Sequence, residues 1–309
     1  MKKITILVPC FNEEVTLPRF YTAMQEVIKS IPQYEWQYLF INDGSQDRTL
    51  EVIKSLRIEG GVEYISLSRN FGKESAMLAG FDYIESDAVI IMDADLQDPP
   101  AVIPQLIAKW EEGYEDVYAM RRDRGKESWL RKKLSLTYYK LLTRASQMDV
   151  LPNVGDFRLL DKKCINALKQ LRETHRYTKG MFCYIGFKKC SVEFDRGNRV
   201  AGESNMSWRM LFHLAIDGIM SYTVFPLRLA GWIGFAVSIF ALGFMFYILI
   251  KTLLYGDPVA GYPSLMVIIS FLGGIQLISL GIIGEYLGKV YGETKNRPVY
   301  FICEKSLEK

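Results

Sequence analysis

The chain has 309 residues, enough for one large domain and an appendage, and its formal charge at pH 7 is only +3. This balance gives no reason to expect a nucleic acid as a partner. Residues 121–144, however, hold nine Lys/Arg and two acidic residues, a net charge of +7. Such a block favours an anionic partner, with a solvated helix face as the alternative. The five cysteines lack the paired spacing of a zinc site, which argues against structural zinc and favours a reducing compartment.

Short apolar runs alternate with helical stretches from the first residues to residue 92. Strands are predicted at residues 4–8, 38–41, 64–67 and 88–92, and helices at 17–30, 49–56 and 73–84. The acidic residues that follow the first run favour a buried strand over a signal peptide. This order predicts right-handed βαβ units and a mainly parallel sheet that is covered on both faces.

A mostly apolar region covers residues 225–288. Residues 229–250 and 265–283 carry no charge and are about as long as the ~20 residues that cross a bilayer, with a Gly/Pro-rich loop between them. We therefore expect a two-helix transmembrane hairpin, two buried helices of a soluble domain being the alternative. The flanking cations predict that both termini are cytoplasmic. Residues 206–222 are expected to form an amphipathic helix, either at the membrane interface or packed on the soluble domain.

Polar turns follow the first, second and fourth predicted strands, at residues 9–14, 42–47 and 93–100. Taken singly, each is also explained by helix capping or turn formation. For Asn12, Ser45 and Asp47 this alternative has the same weight as a role in ligand binding. Ligands of parallel sheets bind beyond the carboxyl ends of the strands. Three such turns at one edge therefore indicate a ligand site.

Asp93 and Asp95 give the sharpest local signal of these turns. Residues two apart at a strand end can point to the same side. Two carboxylates so placed suit Mg²⁺ or Mn²⁺, which prefer carboxylates, waters and substrate phosphates. A metal that bridges a diphosphate would neutralise the charge that builds on a leaving group.

Six further segments of the sequence are DADLQDPP (93–100), RNFGKE (69–74), VGDFRL (154–159), FPLR (225–228), GYPS (261–264) and GEYLG (284–288). Together they resemble family 2 glycosyltransferases of the GT-A fold, in the branch of dolichol-phosphate mannose synthases and two-span bactoprenol glucosyltransferases. The resemblance covers nearly the whole chain. It implies a Rossmann-like α/β GT-A domain over residues 1–204, amphipathic interface helices over 205–226, two transmembrane helices over 227–288 and a cytoplasmic tail over 289–309.

The resemblance also implies roles for individual residues. Many members have two acids where this chain has Asn42 before Asp43, which leaves the contacts to base and ribose open. Relatives often have a lysine soon after Ser204, and this chain does not. The residues implied to bind the nucleotide-sugar are Pro9, Asn12, Glu14, Asp43, Ser45, Lys73 and Asp93. Those for the metal are Asp93, Asp95 and Gln97. Those for the acceptor phosphate are Arg121, Arg131, Lys132, Lys133, Arg199 and Ser204. Those for catalysis are Asp156, Arg158 and Asp95.

The implied reaction is transfer of a hexose from a UDP-sugar to polyprenyl (undecaprenyl) phosphate, with inversion, at the cytoplasmic face of the plasma membrane, for a cell-surface glycan. Glucose is favoured over galactose and N-acetylglucosamine, and a homo-oligomer is left open. The lipid phosphate is already anionic, so positioning and charge stabilisation matter more than a general base. Asp156 is expected to orient the acceptor, with a weak base or a structural loop residue as alternatives.

Two other classes of protein are considered. A processive sugar polymerase needs a membrane channel, which two spans are too few to enclose, and its Gln-x-x-Arg-Trp motif is absent from this sequence. A non-catalytic membrane adaptor would have no reason to keep Asp93, Asp95 and Gln97 together with the basic block.

Overall fold

The chain divides into two units, an α/β domain and a pair of long helices. The computed structural model describes residues 1–58, 60–122, 154–174, 176–195, 225–255 and 261–307. The first unit spans Met1–Trp208 together with Arg297–Lys309, and the second spans Arg209–Asn296.

The first half of the α/β unit consists of four parallel strands and three helices. The central strand pairs with the second and the fourth strand, and the second pairs with the third. The chain therefore changes direction across the sheet at its first strand, where ligands of such folds bind. All seven predicted elements are confirmed, with small shifts at their ends: β1 (Lys3–Cys10), α1 (Leu17–Lys29), β2 (Glu35–Asn42), α2 (Thr49–Arg57), β3 (Val62–Leu67), α3 (Lys73–Tyr83) and β4 (Ala88–Ile91).

Burial on both faces explains why these strands are nearly continuous apolar runs. Ile4, Ile6 and Val8 of β1 belong to a core cluster on one side of the sheet, and Leu7 belongs to the cluster on the other side. This alternation follows from the two-residue period of a strand. Helix α3 lies so close to β1 that a Cβ atom on Gly80 would be 2.3 Å from Leu7 Cδ1.

The second half of the domain adds strands that the sequence patterns did not predict. Because β6 runs antiparallel to β4, its first residues lie beside the carboxyl end of β4, and Arg158 pairs in register with Ile91. Strand β5 pairs antiparallel with β6 and parallel with β7. The elements are α4 (Ile103–Glu111), β5 (Asp116–Arg121), β6 (Val154–Asp161), α5 (Lys162–Leu168), α6 (Thr178–Tyr184) and β7 (Lys189–Phe194).

A short carboxy-terminal strand completes the sheet. This strand, β8 (Ile302–Lys305), pairs antiparallel with β3, although no strand was predicted in residues 289–309. The described strands form one sheet in the order β7-β5-β6-β4-β1-β2-β3-β8. The predicted α/β class with a mainly parallel sheet is confirmed.

The second unit contains two long helices that contact each other, α7 (Phe225–Tyr255) and α8 (Tyr262–Thr294). In the described part of the chain, one helical segment, Phe271–Thr294, is long and apolar enough to cross a membrane. A shorter apolar segment of the described residues, Pro226–Ala241, lies in α7, which itself has 31 residues. The prediction of two helices is therefore confirmed, whereas the finding supports one span and not the predicted pair.

Candidate active site

A cavity of about 320 Å³ opens at the carboxyl ends of β1 and β4. It lies where the strand order reverses, the position expected for a ligand in this type of sheet. Of the residues predicted to bind the nucleotide-sugar, Pro9, Asp43, Lys73 and Asp93 line it, together with Asp95. The other lining residues are Cys10, Phe11, Glu13, Asn70, Gly72 and Ala94.

Three other residues predicted to bind the nucleotide-sugar, Asn12, Glu14 and Ser45, hold two turns together. The backbone N–H of Asn12 donates to Ser45 Oγ at 3.0 Å, and Asn12 Oδ1 accepts from Gln46 N at 2.9 Å. Glu14 Oε2 accepts from the backbone N–H of Arg48 at 3.0 Å. These bonds favour turn formation for all three, and none of the three lines the cavity. Their contact with a nucleotide stays a prediction.

Asp43 fixes the loop between β3 and α3 against the cavity. Its Oδ1 accepts from Phe71 N at 2.8 Å and its Oδ2 from Gly72 N at 2.9 Å. Burial raises the pKa of the Asp43 carboxyl above its usual range, and the two N–H donors oppose that shift. The adjacent Gly44 has a φ of +66°, and a Cβ atom there would lie 2.3 Å from the Arg69 carbonyl carbon, so only glycine fits.

Lys73 joins a carboxylate after β4 to a carboxylate on β6. Its Nζ lies 2.6 Å from Asp93 Oδ1 and 2.7 Å from Asp156 Oδ2. Burial lowers the pKa of the Lys73 ammonium, but the two carboxylates outweigh it and raise that pKa above its ordinary value. Burial alone would raise the pKa of Asp156, yet Lys73 and Lys179 hold it below its ordinary value. The other oxygen of Asp156, Oδ1, is buried and has no hydrogen-bond partner in the described part of the chain.

The residues predicted to hold a metal lie in the turn after β4. The Asp93 side chain is 40% exposed, and Asp95 Oδ1 accepts from Gln97 N at 3.1 Å. The described residues contain no preformed group of three His, Cys, Asp or Glu ligands. Mg²⁺ and similar ions are commonly held by one or two carboxylates, with waters and substrate phosphates completing the shell. The two aspartates fit that mode of binding, although Lys73 already pairs with one oxygen of Asp93.

Asp98 and Arg121 lie beside Asp93 and Asp95, the two carboxylates predicted to hold a metal. Arg121 Nη2 is 3.7 Å from Asp98 Oδ1, which is buried. Burial, together with the charge of Asp93, raises the pKa of Asp98 to about 6. Arg121 therefore faces an acidic cluster in addition to its predicted role at the acceptor phosphate. The other predicted acceptor residues, Arg131, Lys132, Lys133, Arg199 and Ser204, lie outside the described residues.

Arg158 is buried in the sheet and does not line the cavity. Only 3% of its side chain is exposed, and its Nη1 donates to both oxygens of Asp116, at 3.2 and 3.1 Å. The guanidinium also lies over the Phe182 ring, with Cζ 3.7 Å from the ring centroid. This environment favours a structural ion pair over the predicted role in catalysis.

We expect Arg158→Met to lower the free energy of unfolding by about 3–5 kcal/mol, because it leaves the Asp116 carboxylate buried without its partner. The double variant Arg158→Met/Asp116→Leu should recover much of that loss. Denaturant unfolding in detergent measures both, with Lys109→Met as a control in an exposed ion pair worth less than about 1 kcal/mol. A variant that is as stable as the wild type but inactive would instead support a role in catalysis.

Glu74 connects the amino-terminal ends of α3 and α6, and the sequence patterns assign it no role. Its Oε2 accepts from Thr178 N at 2.9 Å and from the Thr178 hydroxyl. Burial and the nearby Asp156 charge raise the pKa of the Glu74 carboxyl from its ordinary value of 4.5 to about 7. Because Thr178 is distant in sequence, only the folded chain reveals this contact.

The raised pKa of Glu74 predicts how stability depends on pH. The folded state binds this proton more tightly than the unfolded state, so the contribution of Glu74 is largest below about pH 4.5 and is lost as the pH rises to about 7. Glu74→Gln keeps an acceptor for Thr178 N but cannot ionise. The free energy of unfolding of the variant should therefore exceed that of the wild type between pH 5 and 8, by on the order of 1 kcal/mol, and its Tm should be higher. Glu111→Gln, at an exposed pair with Lys2, is the control; an equal pH profile of Tm for Glu74→Gln and the wild type would contradict the prediction.

Comparison with known proteins assigns this chain to a family. Residues 5–168 match the model for glycosyl transferase family 2. The SfII prophage-derived bactoprenol glucosyl transferase of Shigella flexneri is 44% identical over 97% of this chain and 97% of its own length. The prophage bactoprenol glucosyl transferase homologue of Escherichia coli K12 is 42% identical over 97% of this chain and 98% of its own.

A solved structure supports the fold. The mannosyltransferase PcManGT from Pyrobaculum calidifontis, in complex with GDP-Man and Mn²⁺, covers 93% of this chain and 87% of its own, with 12% identity and a TM-score of 0.51. At that identity the likeness shows the fold alone, and it agrees with the predicted GT-A fold. The family model and the two near full-length relatives, by contrast, identify the family directly. The chain belongs to glycosyl transferase family 2.

Proposed function

We propose that the protein transfers a hexose, with glucose favoured, from a UDP-sugar to polyprenyl (undecaprenyl) phosphate at the cytoplasmic face of the membrane. Two near full-length relatives with more than 40% identity bear the name bactoprenol glucosyl transferase or a homologue of it. The observation that carries the proposal is the position of Lys73, which contacts Asp93 at the donor cavity and Asp156 on β6. The cluster of Lys73, Asp93 and Asp156 would then contact both the nucleotide-sugar and the lipid phosphate.

In this reaction an oxygen of the lipid phosphate bonds to the anomeric carbon as the bond from that carbon to the diphosphate breaks. The nucleoside diphosphate leaves with the electron pair, and direct attack inverts the anomeric centre. The attacking oxygen is already anionic, so no proton needs to be removed from it. Asp156 stays ionised at neutral pH, since its pKa is low, and is suited to orient groups near the acceptor rather than to donate a proton.

Mg²⁺ or Mn²⁺ is the proposed cofactor, and Asp93, Asp95 and Gln97 are the residues that would hold it. When bound, it would supply positive charge to the diphosphate of the donor. Lys73 would supply a second positive charge from the protein at the same edge of the cavity. Asp43 keeps the β3–α3 loop, and with it Asn70 and Gly72, in place along the cavity wall.

Purified protein, a panel of nucleotide-sugars, a short polyprenyl phosphate and mass spectrometry of the lipid test the proposal. We expect a polyprenyl monophosphate hexose from UDP-glucose, with one UDP released per product. Nucleotide release without a lipid product would contradict transfer to the lipid. Absence of turnover with every donor would contradict the enzyme itself and favour an adaptor.

We also propose that α7 and α8 form a two-span hairpin with both termini in the cytoplasm. Both helices expose large apolar side chains, such as Trp232 (71%) and Phe240 (72%) on α7 and Leu277 (71%) on α8. Exposed apolar surface of this extent marks a membrane or protein contact. The cations that flank the helices in sequence support the orientation.

We expect a cysteine introduced at Asp257 to react with an impermeant thiol reagent in intact cells. A cysteine introduced at Glu111 should react only after lysis, because the proposed topology places the catalytic domain inside the cell. Mass spectrometry of the labelled protein measures both. The reverse labelling would invert the proposed topology, and labelling of neither in intact cells would contradict the hairpin.

A further inference from the structure

Residues 300–306 fold back onto the edge of the sheet next to the loop that borders the donor cavity. We propose that this carboxy-terminal segment is a positioning element of the donor site, in which Phe301 holds residues 68–72 in the conformation that lines the cavity. The inference rests on the proposed function in one respect, namely that the cavity takes a nucleotide.

Phe301 contacts this loop through its backbone and its side chain. The backbone N–H of Ser68 donates to the Phe301 carbonyl oxygen at 2.9 Å, just beyond the last paired residues of β3 and β8. The Phe301 and Phe71 rings lie 6.2 Å apart between centroids, within the range of an aromatic pair. The Arg69 guanidinium covers the Phe71 ring, with Cζ 4.0 Å from its centroid. The loop is therefore fixed from its outer side by one residue of the carboxy-terminal segment.

The inner side of the same loop forms part of the cavity wall. Asp43 accepts from the N–H groups of Phe71 and Gly72, and the loop backbone lies too close to Gly44 for any larger residue there. Asn70 and Gly72 line the cavity, as does Lys73 at the start of α3. A shift of Phe71 would thus move two N–H donors away from Asp43 and change the wall of the donor site.

The rest of the segment is anchored independently of the loop. Tyr300 donates its hydroxyl to Asp82 Oδ2 at 2.6 Å, and Glu304 pairs with Lys54 at 2.8 Å and accepts from the Tyr64 hydroxyl. These contacts join the segment to α3, α2 and β3, and none of them involves residues 68–72. The Phe301 residue itself is 55% exposed, so it adds little to the core and its main contact is the loop.

The test compares Phe301→Ala with Glu304→Gln in the full-length protein. Hydrogen exchange reports the protection of the amides at residues 68–72, and calorimetry with UDP and Mn²⁺ reports affinity. We expect Phe301→Ala to speed exchange at Phe71 and Gly72 and to raise the Kd for UDP about tenfold, because the competent loop is then populated less. The Tm should change little. Phe301→Tyr keeps the ring and should restore both values.

Glu304→Gln weakens the same strand at a distance from the loop, so it should leave loop exchange and UDP affinity at their wild-type values. Unchanged loop exchange in Phe301→Ala would overturn the proposal, and so would equal effects of Phe301→Ala and Glu304→Gln, which would indicate general stability. A wild-type protein without affinity for any nucleotide would contradict the proposed function instead. The exchange at Phe71 and Gly72 would still decide the role of Phe301.

Discussion

Asp95→Asn is expected to lower kcat about 10³-fold, because it removes one of the two carboxylates proposed to hold the metal against the donor diphosphate. Asn keeps an oxygen that can accept from Gln97 N, so the turn after β4 should stay folded. Asp95→Ala should lose as much activity and, in addition, this hydrogen bond. Turnover measured as a function of Mn²⁺ concentration should show a weaker apparent metal affinity for both variants.

Asp87→Asn is the matched control for this substitution. Asp87 also accepts one backbone N–H, from Lys3 at 2.8 Å, but it precedes β4 and so lies at the opposite end of the strand from the cavity. Its variant should retain wild-type kcat and wild-type response to Mn²⁺. Full turnover of Asp95→Asn in the presence of excess chelator would show that the metal is not held there.

The first four strands and three helices follow from the sequence because their burial is simple. Strands β1 and β4 are covered on both faces, so β4 appears as an uninterrupted apolar run and β1 as a nearly uninterrupted one, each with a polar turn at its carboxyl end. Strand β6 is harder to recognise, since it contains Gly155, Asp156 and Arg158. The partner that makes Arg158 tolerable in the sheet interior, Asp116, lies 42 residues away in sequence. Local periodicity carries no information about such a pair.

The candidate site shows the same division between local and distant signals. Strand ends place Asp43, Asp93 and Asp95 at one cavity, as the parallel sheet requires. The sequence does not show which polar turn residue faces the ligand and which faces another turn. Asn12 and Ser45, which were predicted to bind the nucleotide-sugar, instead form hydrogen bonds between their two turns. Nor does it show that Lys73 bridges two carboxylates, because one of them comes from β6.

The carboxy-terminal strand was not predicted for a different reason. Strand β8 has four residues, and its alternation of half-buried and exposed positions is too short to stand out from a polar tail. It is stable in this position because β3 would otherwise leave its backbone N–H and C=O groups unpaired at the edge of the sheet. That demand arises from the assembled sheet and not from residues 302–305 themselves.

Asp156→Asn is expected to lower kcat about 10²-fold, with smaller changes in the KM of either substrate, because the carboxylate is proposed to orient groups rather than to bind them. The substitution leaves Lys73 with Asp93 as its remaining carboxylate partner in the cluster, so its ammonium should move toward the donor turn. The Oδ1 of Asp156 supports this role, since it is buried without a donor among the described residues and is therefore suited to accept from a group on the substrate.

Steady-state kinetics in detergent, with each substrate varied in turn, test this prediction. Asp161→Asn is the matched control, because Asp161 lies on the same strand but at its far end, where it accepts from Lys163 N and Trp110 Nε1.

Arg131→Gln, within the basic block, should instead raise the KM for polyprenyl phosphate and leave that for the nucleotide-sugar nearly fixed. A second effect should accompany Asp156→Asn: the Asp156 charge helps to raise the pKa of Glu74, so that pKa should fall toward its ordinary value in the variant. Unchanged kcat in Asp156→Asn together with an unchanged acceptor KM in Arg131→Gln would place the acceptor site elsewhere. A lower kcat in Asp156→Asn with an unchanged acceptor KM in Arg131→Gln would locate the transfer step at the cluster of Lys73, Asp93 and Asp156.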